Sequence, residues 1–330
     1  MQALPKHNGH FYNWYGTTDG RVLEPAYVSA VDSGNLAGHL IALANACETW
    51  ASAGSAPSPD HGTLRDGLLD TLHLTRHTPG ANEPRLGPLL AEIETALLAP
   101  GSEASIWPAV LRLATKAKAA LAHNPETPEL QEWLGALCDQ CERNTRPADP
   151  EGLRTRLSAL GAQARAMALA MDFAFLFDPD RKLLSIGWSR NDNALDEGCY
   201  DLLASEARLA SLFAIAKGDV PVQHWFRLGR AAIPLRGGSM LVSWSGSMFE
   251  YLMPALVMEE PAGSLLDQTN RQVVAGQCVY GRRRGIPWGV SESGFNARDL
   301  EMNYQYSTFG IPGMGLKRGL ATDLVVAPYA

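Results

Sequence analysis

Cysteine is scarce in this 330-residue chain, with five residues, an odd number. That count excludes a disulfide framework and fits a reducing compartment. Charge is modest as well: 19% of residues are charged and the net charge is −7, a field that repels nucleic acid and anionic membrane. Long apolar runs are missing. The longest, Ala166 to Phe177, is broken by Asp172, so the sequence reads as soluble and makes no direct membrane contact. Met1 to His10 is polar and lacks the apolar core of a signal peptide. The basic run Arg282, Arg283 and Arg284 reads as a solvated loop or a carboxylate partner.

What is present is an ordinary globular balance, 46% hydrophobic, in a chain long enough for one large domain or two smaller ones. Aromatics crowd His10 to Tyr15 in an opening loop. Leu36, Leu40, Leu43, Ala44 and Cys47 then repeat with helical spacing, with Asp32 or Ser33 available as the N-terminal cap. After a connection at Ser52 to Pro59, helical stretches alternate with Pro-rich breaks from His61 to about Leu176. The breaks fall at Pro79 to Pro88, Pro100 to Ser105, Asn124 to Thr127 and Pro147 to Pro150, a pattern of stacked helical hairpins. Four of the eight tryptophans follow residue 187, mostly among Gly and Ser. Strand candidates there are a hairpin from Phe173 to Ile186, Ile286 to Val290, and Leu324 to Ala327. The expected fold is mainly α, a helical scaffold carrying long loops and a few short strands.

Glu206 is the most informative residue. If Cys199 to Ala216 is one helix, its apolar stripe runs through Leu202, Leu203, Leu209 and Ala210, and Glu206 points with that stripe. A desolvated carboxyl there keeps its proton, as a general acid needs; a structural Glu paired with Arg remains an equal alternative. Glu292 lies in a loop rich in Gly and Ser between Trp288 and Phe295. Alone it is an ordinary loop Glu, but glycoside chemistry needs two carboxylates flanking one bond. Candidate sugar contacts are Tyr12, Trp14, Trp188, Tyr200, Trp244, Glu250, Trp288 and Phe295, with Asp32 and Asn35 as hydroxyl binders or helix caps. Asp196 and Glu197 read as N-terminal charges of the Glu206 helix.

Other motifs fail. Cys138 and Cys141 form C-x-x-C without a second pair, and His73 and His77 lack the Glu of a zinc-protease helix, so no metal is expected. Gly313, Gly315 and Gly319 have the wrong spacing for a dinucleotide loop, and no cofactor is implied. Ser245 and Ser291 lack a nucleophile elbow.

The segments His10 to Tyr15, Tyr27 to Leu40, Tyr200 to Leu209, Gly218 to Arg230, Trp244 to Pro254, Pro287 to Asn296 and Tyr304 to Tyr306 together resemble the glucoamylase-like domain of cyclic β-1,2-glucan synthases. The resemblance covers nearly the whole chain and is weakest over residues 51–150. It implies one catalytic domain over residues 1–330, an (α/α)-barrel of the glucoamylase kind, left incomplete where this chain stops. It also implies cyclisation of β-1,2-glucan by retaining transglycosylation, with Glu292 as nucleophile and Glu206 as acid/base. The chain would then be cytoplasmic and covalently continuous with glycosyltransferase and membrane domains. Hydrolysis by an endo-β-1,2-glucanase and a non-catalytic glucan-binding role are the competing readings.

Overall fold

The computed structural model describes the chain except for residues 54–60, 82, 101–102, 122–126, 146–148, 236, 301, 303, 321–323 and 328–330. The connections expected at Ser52 to Pro59, Pro100 to Ser105, Asn124 to Thr127 and Pro147 to Pro150 lie partly outside the described residues. The chain divides into two compact units, Met1–Glu48 with Ser158–Ala330, and Thr49–Leu157.

The first unit opens with the hairpin β1 (Lys6–His7) and β2 (His10–Phe11), then β3 (Tyr27–Ser29) and the helix α1 (Ala30–Ser52). The Ser29 hydroxyl accepts the Asp32 amide at 3.1 Å, so Ser29 is the cap and the helix starts ahead of Asp32 and Ser33. Leu40, Ala44 and Cys47 are buried as the spacing predicts, together with Ala37, whereas Leu36 is only partly buried and Leu43 is exposed.

The second unit holds α2 (His61–His77), α3 (Gly87–Leu98), α4 (Glu103–Leu121) and α5 (Pro128–Thr145). Each helix packs on the next, and α5 closes back on α2. Leu68, Leu72, Leu90, Ile93, Val110, Leu121, Leu130 and Leu134 make one shared core. The helical hairpins expected from the Pro-rich breaks are thus a four-helix group. Cys138 and Cys141 are buried in this core as free thiols, and burial pushes Cys141 up to about 12. His73 and His77 are exposed and in ring contact with each other.

The first unit resumes at Ser158 within α6 (Pro150–Leu169) and continues through a short 3-10 turn at Phe173–Leu176 and the hairpin β4 (Phe177–Asp178) and β5 (Leu183–Leu184). Strand β6 (Gly187–Ser189) sits between β3 and β7 (Ala194–Leu195), antiparallel to both. Then come α7 (Arg208–Lys217), α8 (Gln223–Arg227), the hairpin β8 (Ala232–Leu235) and β9 (Gly238–Leu241), α9 (Met248–Leu252), α10 (Leu265–Arg284), and the hairpin β10 (Ser293–Arg298) and β11 (Tyr304–Ser307). Arg282 to Arg284 are exposed as expected, but they form the last turn of α10, where cations suit the helix dipole, and not a loop. The strand candidates Ile286 to Val290 and Leu324 to Ala327 reduce to one bridge that joins them, Val290 to Val326.

The architecture is mainly α with small sheets, and among the described residues the helices do not close a barrel. No described helix is long and apolar enough to cross a membrane.

One close approach places the functional residues. A Cβ on Gly34 would lie 2.3 Å from the Ala210 Cβ, and one on Gly38 would lie 2.9 Å from Leu209. Side chains absent at these positions let α1 lie directly on α7, with the start of α1 beside the start of α7.

Candidate active site

The helix expected over Cys199 to Ala216 begins only at Arg208. The reason is long-range pairing: Leu203 N–H donates to Gly229 O at 3.0 Å, and Gly229 N–H donates to Asp201 O at 2.6 Å. Those bonds satisfy backbone groups that a helix would otherwise pair internally. Glu206 therefore sits in the turn before α7, and helical phase is not what buries it. Asp196 is likewise no helix charge; it accepts the Tyr27 hydroxyl beside β7.

Glu206 lines a cavity of about 330 Å³ together with Tyr200, Ser205, Trp244, Glu250 and Glu292. Burial is the largest influence on its carboxyl, followed by the charges of Glu292, Glu250 and Asp32, against a hydrogen bond from Asn35; the result is a value of about 8. A carboxyl in that state is protonated at neutral pH. Burial also raises the Glu292 carboxyl, while a 2.8 Å hydrogen bond from the Tyr306 hydroxyl favours its ionised form. One cavity thus presents two carboxyls raised by burial, of which Glu206 keeps its proton at neutral pH and Glu292 alone has the Tyr306 donor opposing the rise. That division suits glycosidic bond cleavage.

Both loops are fixed from behind. The side chain of Gln277, buried on α10, accepts the Val290 amide at 2.9 Å and donates to Val290 O at 2.9 Å. The Ser291 hydroxyl accepts the Phe249 amide at 2.9 Å, which ties the Glu292 loop to α9. Glu250 is buried, and its carboxylate accepts Trp244 N–H at 3.0 Å, Ser245 N–H at 2.8 Å and the Ser245 hydroxyl at 2.5 Å. It lines the cavity as expected, but these bonds turn it toward holding the Trp244 loop. Gly310 and Gly315 pack so tightly on Ser245 and Gly246 that a Cβ would overlap their backbone. That contact gives the glycine-rich segment a structural role in place of a nucleotide loop.

No protein-family model matches the chain. The chain is similar throughout to one segment of a glucan synthase. Over an alignment 359 positions long it is 48% identical to "Cyclic beta-(1,2)-glucan synthase NdvB" of Rhizobium meliloti (strain 1021), taking in 100% of this chain and 12% of that protein. The chain therefore spans a small part of the length of the curated relative it matches.

The expected contacts do not all converge. Tyr200 and Trp244 line the Glu206 cavity, and Trp244 is 60% exposed at it. Asn35 bonds Glu206, and the Asp32 charge acts on both Glu206 and Glu292. Asp32 also lines a second cavity of about 370 Å³ with Tyr12, Trp14 and Asn13. Trp188, expected as a sugar contact, is buried on β6 and stacked on His7 with ring centres 3.9 Å apart, and it does not line the Glu206 cavity. Phe295 packs edge-on against Phe309 beside the core, and Trp288 is partly exposed; neither lines the Glu206 cavity. Tyr306 was not among the expected site residues, although it ends the Tyr304 to Tyr306 segment of the resemblance. Arg208 and Gln277 carry no local sequence signal, since their partners are distant in the chain. Among the described residues no group of three His, Cys, Asp or Glu side chains could hold a metal.

Proposed function

We propose that this chain is the carbohydrate-active part of a larger cyclic β-1,2-glucan synthase and that it closes β-1,2-glucan rings by retaining transglycosylation. The observation that carries the reading is the shared cavity of Glu206 and Glu292, with Glu206 protonated at neutral pH. Glu206 gives its proton to the leaving glycosidic oxygen while Glu292 attacks the anomeric carbon and forms a glycosyl ester. Glu206, now ionised, takes the proton of an incoming sugar hydroxyl, whose oxygen displaces Glu292. When that hydroxyl belongs to the far end of the same glucan, the product is a ring. Trp244 stacks on a sugar face, and Tyr12, Trp14 and Asp32 contact sugar at the second cavity. The relative's printed name supports the glucan, and the small share of that protein covered supports continuity with a longer chain. We read the fold as part of a glucoamylase-like (α/α)-barrel and the whole chain as one catalytic domain.

Incubation with linear β-1,2-glucan, followed by mass spectrometry, tests this. Cyclic glucan from the wild type and none from Glu292→Gln is expected; equal product from both refutes the nucleophile assignment. The exposure of Trp244 and Tyr306 favours endo-hydrolysis as a second reading, because water reaches the site. Short linear oligosaccharides as the sole products would mark it.

A further inference from the structure

The guanidinium of Arg208 lies directly behind the candidate site and is fully buried, with 0% of its side chain exposed. Its Nη1 donates to Ser205 O at 3.1 Å and to Glu250 O at 3.4 Å. Its Nη2 donates to Tyr251 O at 2.6 Å and to Glu260 Oε1 at 2.9 Å. Three of these acceptors are backbone carbonyls, drawn from two segments far apart in sequence. Ser205 immediately precedes Glu206, and Glu250 carries the carboxylate that holds Trp244 and Ser245. One planar fork therefore joins the backbone under Glu206 to the backbone under Glu250.

We infer that Arg208 is a positioning residue that sets the separation of Glu206 from the carboxylates across the cavity by clamping the Ser205 and Glu250 carbonyls to one guanidinium.

The clamp acts through geometry and not through charge. Glu260 neutralises the guanidinium at 2.9 Å and is steadied in turn by Asn270. The largest influences on the Glu206 carboxyl after burial are the charges of Glu292, Glu250 and Asp32 and the hydrogen bond from Asn35. Lysine cannot replace the fork. Its donors radiate from one nitrogen, whereas these acceptors lie off two nitrogens of a rigid plane. Displacing a catalytic group by about 1 Å costs roughly a hundredfold in rate. A residue that touches neither substrate nor the reacting atoms can therefore control turnover.

The inference rests on the proposed acid role of Glu206, so its test includes a readout that needs no substrate. Wild type, Arg208→Lys and Glu260→Gln are compared in the full chain. Turnover of linear β-1,2-glucan is measured, and the Glu206 carboxyl is followed by pH-difference infrared spectroscopy, with Glu206→Gln used to assign its band. Arg208→Lys is expected to lower kcat by about tenfold or more with KM within about twofold. Its Glu206 carboxyl is expected to titrate at lower pH, because the turn loosens, water enters and the carboxylates move apart. If Arg208→Lys does not fold, Glu260→Gln decides. It keeps the carbonyl bonds of the fork and changes only the charge beside it, so the Glu206 titration and kcat are expected to stay within about twofold of wild type. Wild-type titration and turnover in a folded Arg208→Lys, or a shifted Glu206 titration in Glu260→Gln, overturns the inference. A downshifted Glu206 titration in Arg208→Lys with no glucan turnover in any protein sustains the positioning role and refutes the glucan reading.

Discussion

The Tyr306 hydroxyl donates a 2.8 Å hydrogen bond to Oε1 of Glu292, from β11 across to the loop that enters β10. This bond favours the charged carboxylate, the form a nucleophile must take. Tyr306→Phe removes the donor and leaves the burial that already raises Glu292. The acid-side limb of the pH–rate profile should move to higher pH, and kcat at pH 6 should fall by about threefold to thirtyfold. A profile superimposable on the wild type would show that the bond does not serve the nucleophile.

Glu206 links activity to stability with a definite sign. Its folded value of about 8 lies above the ordinary 4.5, so the folded chain binds the proton more tightly than the unfolded chain. Below about pH 4.5 both states are protonated and no penalty applies. As pH rises from there through about 8, stability is lost, at up to about 1.4 kcal/mol for each pKa unit before solvent screening is discounted. Glu206→Gln should therefore be more stable than wild type at pH 9 and close to it at pH 4, by urea unfolding. The wild-type rate should fall above about pH 8 as the acid loses its proton. A variant with no stability gain at pH 9 would contradict the buried setting.

The crossing of α1 on α7 leaves no space at Gly34. Gly34→Val should cost about 1–3 kcal/mol by overpacking and lower activity further, because it moves Asn35 away from Glu206. Thermal unfolding checks the first part. Comparison with Gly67→Ala, where a Cβ meets nothing within 4 Å, provides the control.

Trp244 is exposed at the cavity and contributes little to the core. Trp244→Ala should leave the unfolding midpoint nearly unchanged and raise KM for β-1,2-glucan by about fivefold to fiftyfold, the loss of one aromatic–sugar face. Unchanged KM would place the sugar elsewhere.

Several of these relationships were legible in the sequence, and the reasons others were not are physical. The Pro-punctuated helices of the second unit and the α1 positions Leu40, Ala44 and Cys47 are legible because local periodicity and breakers govern them, whereas Leu43 shares the apolar series and is exposed. The segment from Cys199 to Ala207 has a helical pattern of apolar residues, but the backbone of Asp201 to Leu203 pairs with Gly229, an interaction invisible to local spacing. Glu206 is thus half-buried for a different reason from the one its spacing gave. Trp188 looked like a sugar platform by composition, yet its place between β3 and β7 turns it into the core. Asp32 and Ser33 have cap chemistry just ahead of the apolar series, but the helix starts earlier and Ser29 accepts the Asp32 amide as its cap.

The central claim, that Glu206 and Glu292 form a retaining pair, is tested most directly by trapping the intermediate. A fluorinated β-glucoside inactivator, followed by peptide mass spectrometry, locates the covalent sugar. The account predicts a glycosyl ester on Glu292 alone, absent in Glu292→Gln, with the carboxyls about 5–5.5 Å apart. An ester on another residue, or first-formed products of inverted configuration with no trapped ester, would contradict it.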